Sequence, residues 1–271
     1  MHEGEYQVWV RANERKLRST PAPPRNRGES PRFSMAFQPI VNVADGTTFA
    51  YEALVRSITG ESAYSVLSKV PRRNCHIFDM SCRSRAMTVA AHCGLLDSVG
   101  SLLCVNVNPN AAIAEASHLR HTFDQAMEMG FPLDRLVLEI VEDDEICDFD
   151  ELKHTVDSYR ACGVKVAMDD FGAGYSGLKL LSKLQPDIIK LDMELVNRVQ
   201  TDHTSEVIVR AIVRACFELN ITTIAEGVEH YDTAMRLRDM GVVYQQGYYF
   251  ARPMFEQLPT VNYVMPEMQI G

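Results

Sequence analysis

From Phe37 onward the chain alternates short, β-rich apolar runs with longer stretches whose apolar residues recur every three or four positions. The strand-like runs are FQPIV (37–41), TFAYEALV (48–55), SLLCVNV (101–107), RLVLEIV (135–141), KVAMDDF (165–171), DIIKLD (187–192), TTIAEGV (222–228) and VVYQQGYYF (242–250). Helical stretches between them include residues 78–95, 150–163, 205–220 and 231–241. Two of these close on a glycine just past the last apolar position, as helix C-termini often do. Eight strands alternating with helices predict an α/β fold of the (β/α)8 barrel type, although an open doubly wound sheet has the same period. Residues 1–34 stand outside the alternation. Their segment RSTPAPPRNRGESPR (18–32) is rich in Pro, Arg and Ser, as a tail or linker is, leaving 35–271 as one domain.

The polar residues are concentrated where the apolar runs stop. Glu52, Asn106, Glu139, Asp169 with Asp170, Lys190 with Asp192, Glu226 and Gln246 each end a run. In a parallel barrel these ends face one rim, where active sites are built. Carboxylates packed at one rim repel and need cations. An all-oxygen donor set favours hard ions such as Mg²⁺, Mn²⁺ or Ca²⁺ over Zn²⁺. None of the eight histidines lies at a strand end; the His118/His121 pair falls on a predicted helix without a carboxylate nearby. Adjacent Asp169 and Asp170 suit a two-cation site, provided the strand is irregular there, because successive strand residues otherwise face opposite ways. Paired hard cations are the usual apparatus for in-line attack of water on a phosphate ester.

Gly172-Ala-Gly174-Tyr-Ser-Gly177 also matches G-x-G-x-x-G, with Asp192 twenty residues after Gly172. Two features oppose a dinucleotide site. Only nine residues separate Gly177 from Asp187, too few for the usual crossover helix, and two carboxylates directly before the loop repel a bare pyrophosphate. A mobile glycine-rich loop after a functional strand fits better.

Composition removes other classes. With 46% apolar and 23% charged residues in 271, the chain is neither a disordered regulator nor a disulfide scaffold. No run is long enough to span a membrane, and MHEGEYQVWV lacks the order of a secretory signal. Seven cysteines, never spaced C-x-x-C, read as reduced thiols of a cytoplasmic protein. The net charge of −9 is uneven: residues 1–32 carry seven Lys/Arg against four Glu, so the body is more acidic still. Such a body does not grip duplex nucleic acid through its phosphates.

Tyr51-Glu52-Ala53-Leu54-Val55-Arg56 contains the E-A-L signature, and further motifs follow in order: FQPI (37–40), VN (105–106), LEIVE (138–142), DDFGAGYS (169–176), IKLD (189–192), AEGVE (225–229) and QGY (246–248). Over about residues 35–260 the chain resembles the EAL phosphodiesterases, which hydrolyse cyclic di-GMP. The resemblance implies a modified (β/α)8 TIM barrel with one antiparallel strand. It implies two divalent cations, Mg²⁺ or Mn²⁺, with Ca²⁺ expected to inhibit. Glu52, Asn106, Glu139 and Asp169 would hold one cation; Asp169 would bridge to a second, held also by Asp170 and Glu226. Lys190 would orient or help deprotonate the attacking water, which makes Glu52, Asp169, Asp170 and Lys190 the catalytic group. Gln246 would support the coordinated waters, Arg56 would bind a phosphate oxygen, and Gln38 and Asp79 would touch substrate. Glu142 and Glu229 would brace the loop that holds Phe171, Gly172 and Gly174. The product would be linear pGpG, the assembly a homodimer. The competing reading is a silent EAL domain that binds cyclic di-GMP or a protein without catalysis. Five carboxylates against two divalent cations leave a single negative charge beside Lys190 and Arg56, so an acidic chain remains compatible with this phosphate ligand.

Overall fold

The computed structural model describes residues 31–71, 74–98, 100–110, 116–141, 146–174 and 177–261. The tail to residue 30, Glu142, Tyr175, Ser176 and the side chains of His118 and His121 lie outside the described residues. Eight strands form a closed ring: β1 (Phe33–Asn42), β2 (Thr48–Ser57), β3 (Leu102–Asn106), β4 (Leu136–Val141), β5 (Lys165–Phe171), β6 (Ile188–Leu191), β7 (Thr222–Ala225) and β8 (Tyr244–Gln246). Each neighbouring pair from β2 to β8 is parallel. β1 closes the ring antiparallel to both β2 and β8, which excludes the open sheet. A two-residue strand β9 (Met254–Phe255) adds to β1 outside the ring, at Ala36 and Phe37.

The helices are α1 (Ala63–Leu67), α2 (Cys75–His92), α3 (Ala116–Glu128), α4 (Phe149–Ala161), α5 (Gly177–Leu184), α6 (Met193–Arg198), α7 (His203–Glu218) and α8 (Tyr231–Asp239). Asp148 and Asp202 start α4 and α7 by accepting two backbone N–H groups each, which satisfies donors that the first helical turn leaves unpaired. None of the helices among the described residues is long and apolar enough to cross a membrane.

Strand alternation divides the core in two. Outward-facing residues such as Leu103, Val105 and Leu138 pack on Phe78, Met87 and Phe123, while Val166, Met168 and Ile189 pack on Leu152, Leu180 and Val209. The inward-facing set is a separate plug: Ile40, Ala50, Leu102, Cys104, Val137, Ala167, Ile188 and Ile224, two from β3 and one from each of the other strands to β7, with Tyr244 of β8 against it. This layer fills the barrel, so no channel runs through it and the functional surface is confined to a rim.

Three details depart from the sequence pattern. The apolar run 242–250 is a strand only over Tyr244–Gln246, because a turn closed by the Phe250 N–H on the Gly247 carbonyl carries the rest away and leaves Tyr248 half exposed. The TTIAEGV run pairs only to Ala225, so Glu226 sits just past its strand. Asp192 is a helix cap: its Oδ1 accepts the Glu194 N–H at 2.9 Å at the start of α6. That use removes it from the rim and from any ribose-binding role.

Candidate active site

Two residues beyond the plug, the same inward face becomes polar on every strand. From Ala50, Cys104, Val137, Ala167, Ile188, Ile224 and Tyr244 this step reaches Glu52, Asn106, Glu139, Asp169, Lys190, Glu226 and Gln246. On antiparallel β1 the step runs backwards, from Ile40 to Gln38, which lies directly across from Glu52. Eight strands therefore deliver eight polar groups to one layer at the rim.

Lys190 is fully buried at the centre of this layer. Its Nζ lies 2.6 Å from Glu226 Oε1, 2.9 Å from Asp169 Oδ1, 3.1 Å from Glu139 Oε1 and 3.6 Å from Glu52 Oε2. The amides tie the edges together. Gln246 Nε2 donates to Glu52 Oε2 at 2.6 Å and to Gln38 Oε1 at 3.3 Å; Asn106 Nδ2 donates to Glu52 Oε1 at 3.3 Å. Gln38 Nε2 in turn donates to the Ala251 carbonyl at 3.2 Å, which anchors the loop after β8.

The strand irregularity that adjacent aspartates need is present. Met168 pairs with Ile189 and Phe171 with Leu191, so Asp169 and Asp170 together oppose the single residue Lys190. This is a β-bulge, and Asp170 takes the left-handed conformation at φ 53° that lets the extra residue turn. Asp is one of the few residues that tolerates it. As a result carboxylate oxygens of Asp169, Asp170 and Glu226 lie within 4.8 Å of one another, as do those of Glu52, Glu139 and Asp169. Asp169 is common to both groups.

The electrostatics show how poorly one ammonium satisfies this ring. Burial, reinforced by Glu52 and Asp169 and only partly offset by Lys190, pushes the Glu139 carboxyl up to about 8. Burial holds Glu226 well above the usual carboxylate range, and burial with the charge of Asp169 raises Asp170 to about 6. Burial disfavours the Lys190 ammonium, but Asp169, Glu139, Glu226 and Glu52 outweigh it and keep the amine charged well above its ordinary range. Both oxygens of Glu139 are buried, and among the described residues its counter-charge is Lys190. A desolvated, all-oxygen set short of positive charge fits hard divalent cations.

The remaining sequence-predicted residues are dispersed around this layer. Arg56 is half buried, on the face of β2 that carries Glu52, and its Nη1 donates to the Val55 carbonyl at 2.8 Å. Asp79 lies outside the ring on α2, ion-paired with Arg83 and accepting the Asn108 N–H at 3.0 Å. Phe171 is buried in the outer core, Gly172 is exposed at φ 104°, Gly174 is half buried and Glu229 is exposed. A cavity of about 440 Å³ opens beside the ring, between α1, α2 and the ends of β2 and β3; Asn106, Asn108 and Asp79 are on its wall. Sequence reasoning passed over Arg83; its i, i+4 spacing from Asp79 on a helix was the available signal.

The family model for the EAL domain matches residues 24–253. The chain belongs to the EAL domain family. It is 30% identical over 227 residues to the blue light- and temperature-regulated antirepressor BluF of Escherichia coli, covering 83% of this chain and 55% of that protein. To the cyclic di-GMP phosphodiesterase NbdA of Pseudomonas aeruginosa it is 28% identical over 234 residues, covering 82% and 29%. It therefore spans about half or less of the length of these relatives. Among solved structures, a standalone EAL protein of Vibrio cholerae in its c-di-GMP bound form superposes with a TM-score of 0.81 at 41% identity, covering 87% of this chain and 98% of that one. The manganese/cyclic di-GMP complex of Klebsiella pneumoniae BlrP1 gives 0.78 at 30%, covering 94% and 67%. EAL proteins of this fold thus bind metal together with cyclic di-GMP.

Proposed function

We propose that this EAL domain is a metal-dependent phosphodiesterase that hydrolyses cyclic di-GMP to linear pGpG, in the cytoplasm. The single observation that carries the reading is the complete polar layer, with its five carboxylates in two groups sharing Asp169. Glu52, Asn106, Glu139 and Asp169 would hold one Mg²⁺ or Mn²⁺; Asp169, Asp170 and Glu226 would hold the other. When bound, such ions polarise the phosphodiester and activate water at neutral pH. The chain's own groups do the rest. Lys190 orients the attacking water with its N–H donors, and its charge offsets the negative charge that builds on the phosphate oxygens. Gln246 and Gln38 keep Glu52 aimed. Arg56, farther out along the Glu52 face of β2, takes a phosphate oxygen. Water adds to phosphorus, the bond to a 3′ oxygen breaks, that oxygen leaves as a hydroxyl, and the 5′ phosphate remains on the product. Residues 35–271 make up the hydrolytic unit.

Incubation of the purified protein with cyclic di-GMP and Mg²⁺ or Mn²⁺ tests this, with pGpG as the expected product by chromatography. Binding without pGpG in either metal sinks the catalytic reading and leaves the silent binding module.

Metal binding is also expected to release protons. Glu139, its carboxyl pushed up to about 8, is held protonated at neutral pH in the metal-free ring and must ionise to act as a ligand; burial shifts Glu226 in the same direction. Because the metal-free state binds more protons, metal affinity rises with pH. The expected slope is about one log unit in Kd per pH unit between pH 6 and 7.5. Calorimetry in buffers of different ionisation enthalpy measures the release, and a flat pH profile contradicts it.

A further inference from the structure

The plug beneath the acidic ring is not wholly inert. Cys104 of β3 is fully buried in it, and its companions there carry only hydrocarbon side chains. It lies one inward step below Asn106 on the same strand. On one side it stands directly across from Glu52 of β2. On the other it pairs with Val137 of β4, and the next inward residue of β4 is Glu139. Cys104 therefore sits under the corner formed by Glu52, Asn106 and Glu139.

Within that corner Glu52 takes the amides, since Asn106 and Gln246 both donate to it. Glu139 has the Lys190 ammonium 3.1 Å from its Oε1, and both of its oxygens are buried. A carboxylate accepts about four hydrogen bonds, and a buried one loses free energy for those left unmade. Cys104 is the side chain of the plug placed to supply one. Glu139 is the leading charge acting on its thiol and lies within its hydrogen-bonding reach. Burial, together with that charge, holds the thiol well above its ordinary range, so it remains an S–H donor.

We infer that Cys104 is a positioning residue for the first cation group: its S–H donates from below to the Glu139 carboxylate and keeps it turned toward Glu52 and Asp169. The identity of the ion rests on the metal-dependent phosphodiesterase reading. The thiol acts through Glu139 and is not itself a ligand, because hard cations take oxygen in preference to sulfur. A serine hydroxyl is also a donor, so serine at this position keeps the role and alanine loses it.

The test compares wild type, Cys104→Ser and Cys104→Ala. Calorimetric titration with Mn²⁺ alone reads metal affinity, and thermal unfolding reads stability. The S–H stretching band of Cys104, isolated by subtracting the Cys104→Ser infrared spectrum, reads the hydrogen bond in the metal-free protein. Groups that hold a metal ligand in place contribute roughly 10- to 100-fold in affinity, and a thiol is a weak donor. Cys104→Ala is therefore expected to weaken Mn²⁺ binding by about 10-fold, with Cys104→Ser within about threefold of wild type. A lower Tm in Cys104→Ala with unchanged affinity shows a residue that only fills space and overturns the inference. So does an equal loss of affinity in the serine and alanine variants. A sulfur-to-metal charge-transfer band with Co²⁺ that Cys104→Ser lacks makes the sulfur a ligand and overturns it as well. If Cys104→Ala does not fold, the S–H band decides, measured in wild type and in Glu139→Leu, which keeps no acceptor. A band that moves to the position of a free thiol in Glu139→Leu sustains the inference, and an unmoved band overturns it. A wild type that binds Mn²⁺ without hydrolysing cyclic di-GMP overturns the catalytic reading alone; one that binds no Mn²⁺ overturns both.

Discussion

Replacing Asp169 by Asn is expected to lower turnover of cyclic di-GMP by about 10³-fold or more, a loss of roughly 4 kcal/mol of transition-state stabilisation, with the fold retained. Asp169 is the one carboxylate common to both ligand groups, so neutralising it weakens both at once. The amide is isosteric, and the side chain is only 10% exposed, so packing changes little. In the metal-free protein the change also removes one of four carboxylates around Lys190 and relieves Glu139 of a repelling neighbour. The unfolding temperature should therefore hold while metal affinity falls. Glu52→Ala is expected to match the loss of turnover, and it removes the nearer of the two acceptors of Gln246 Nε2 as well. Product formation by chromatography and metal titration check both variants. Near-normal turnover in either one shows that the ligand set is drawn wrongly.

The second large effect is on stability. Gly247 follows Gln246 where the loop after β7 crosses the end of β8, and a Cβ there would stand 2.0 Å from the Val228 carbonyl oxygen and 2.3 Å from its nitrogen. Those atoms are themselves bonded across the crossing: the Val228 N–H donates to the Gln246 carbonyl at 2.9 Å, and the Tyr249 N–H donates to the Val228 carbonyl at 3.1 Å. Backbone, unlike a flexible side chain, does not yield without breaking those bonds. Gly247→Ala is expected to cost about 3 kcal/mol or more, a fall of roughly 6–12 °C in Tm for a chain of this length. Because the displaced segment carries Gln246, turnover should fall with stability even at low temperature. Thermal unfolding with and without divalent metal measures the first effect. A variant as stable as wild type contradicts the close approach.

What was legible in the sequence follows from the two-residue period of a strand. Ala50 and Glu52, Val137 and Glu139, Ile188 and Lys190 lie on one face by alternation alone, so the polar layer over an apolar plug was readable once the runs were seen as strands. The bulge was not, because it depends on how β5 pairs with β6, and the letters Asp-Asp do not state a register. The run 242–250 misled for a related reason: its apolar residues satisfy a strand pattern, but the backbone crossing at Gly247 ends the strand at Gln246. Asp192 read as a rim residue because cap and strand end coincide in sequence, and only the Glu194 N–H at 2.9 Å separates the two roles. The Arg83–Asp79 pair was hidden because a charged residue on a helix ordinarily faces water.

The reversed direction of β1 decides where the polypeptide enters the barrel. Phe33, its first residue, pairs with Ser57 at the outer end of β2, five residues past Glu52, and Gln38 lies five residues farther along the same strand. The chain therefore enters β1 at the rim that carries the polar layer. Whatever precedes Phe33 is thereby joined directly to the strand that delivers Gln38.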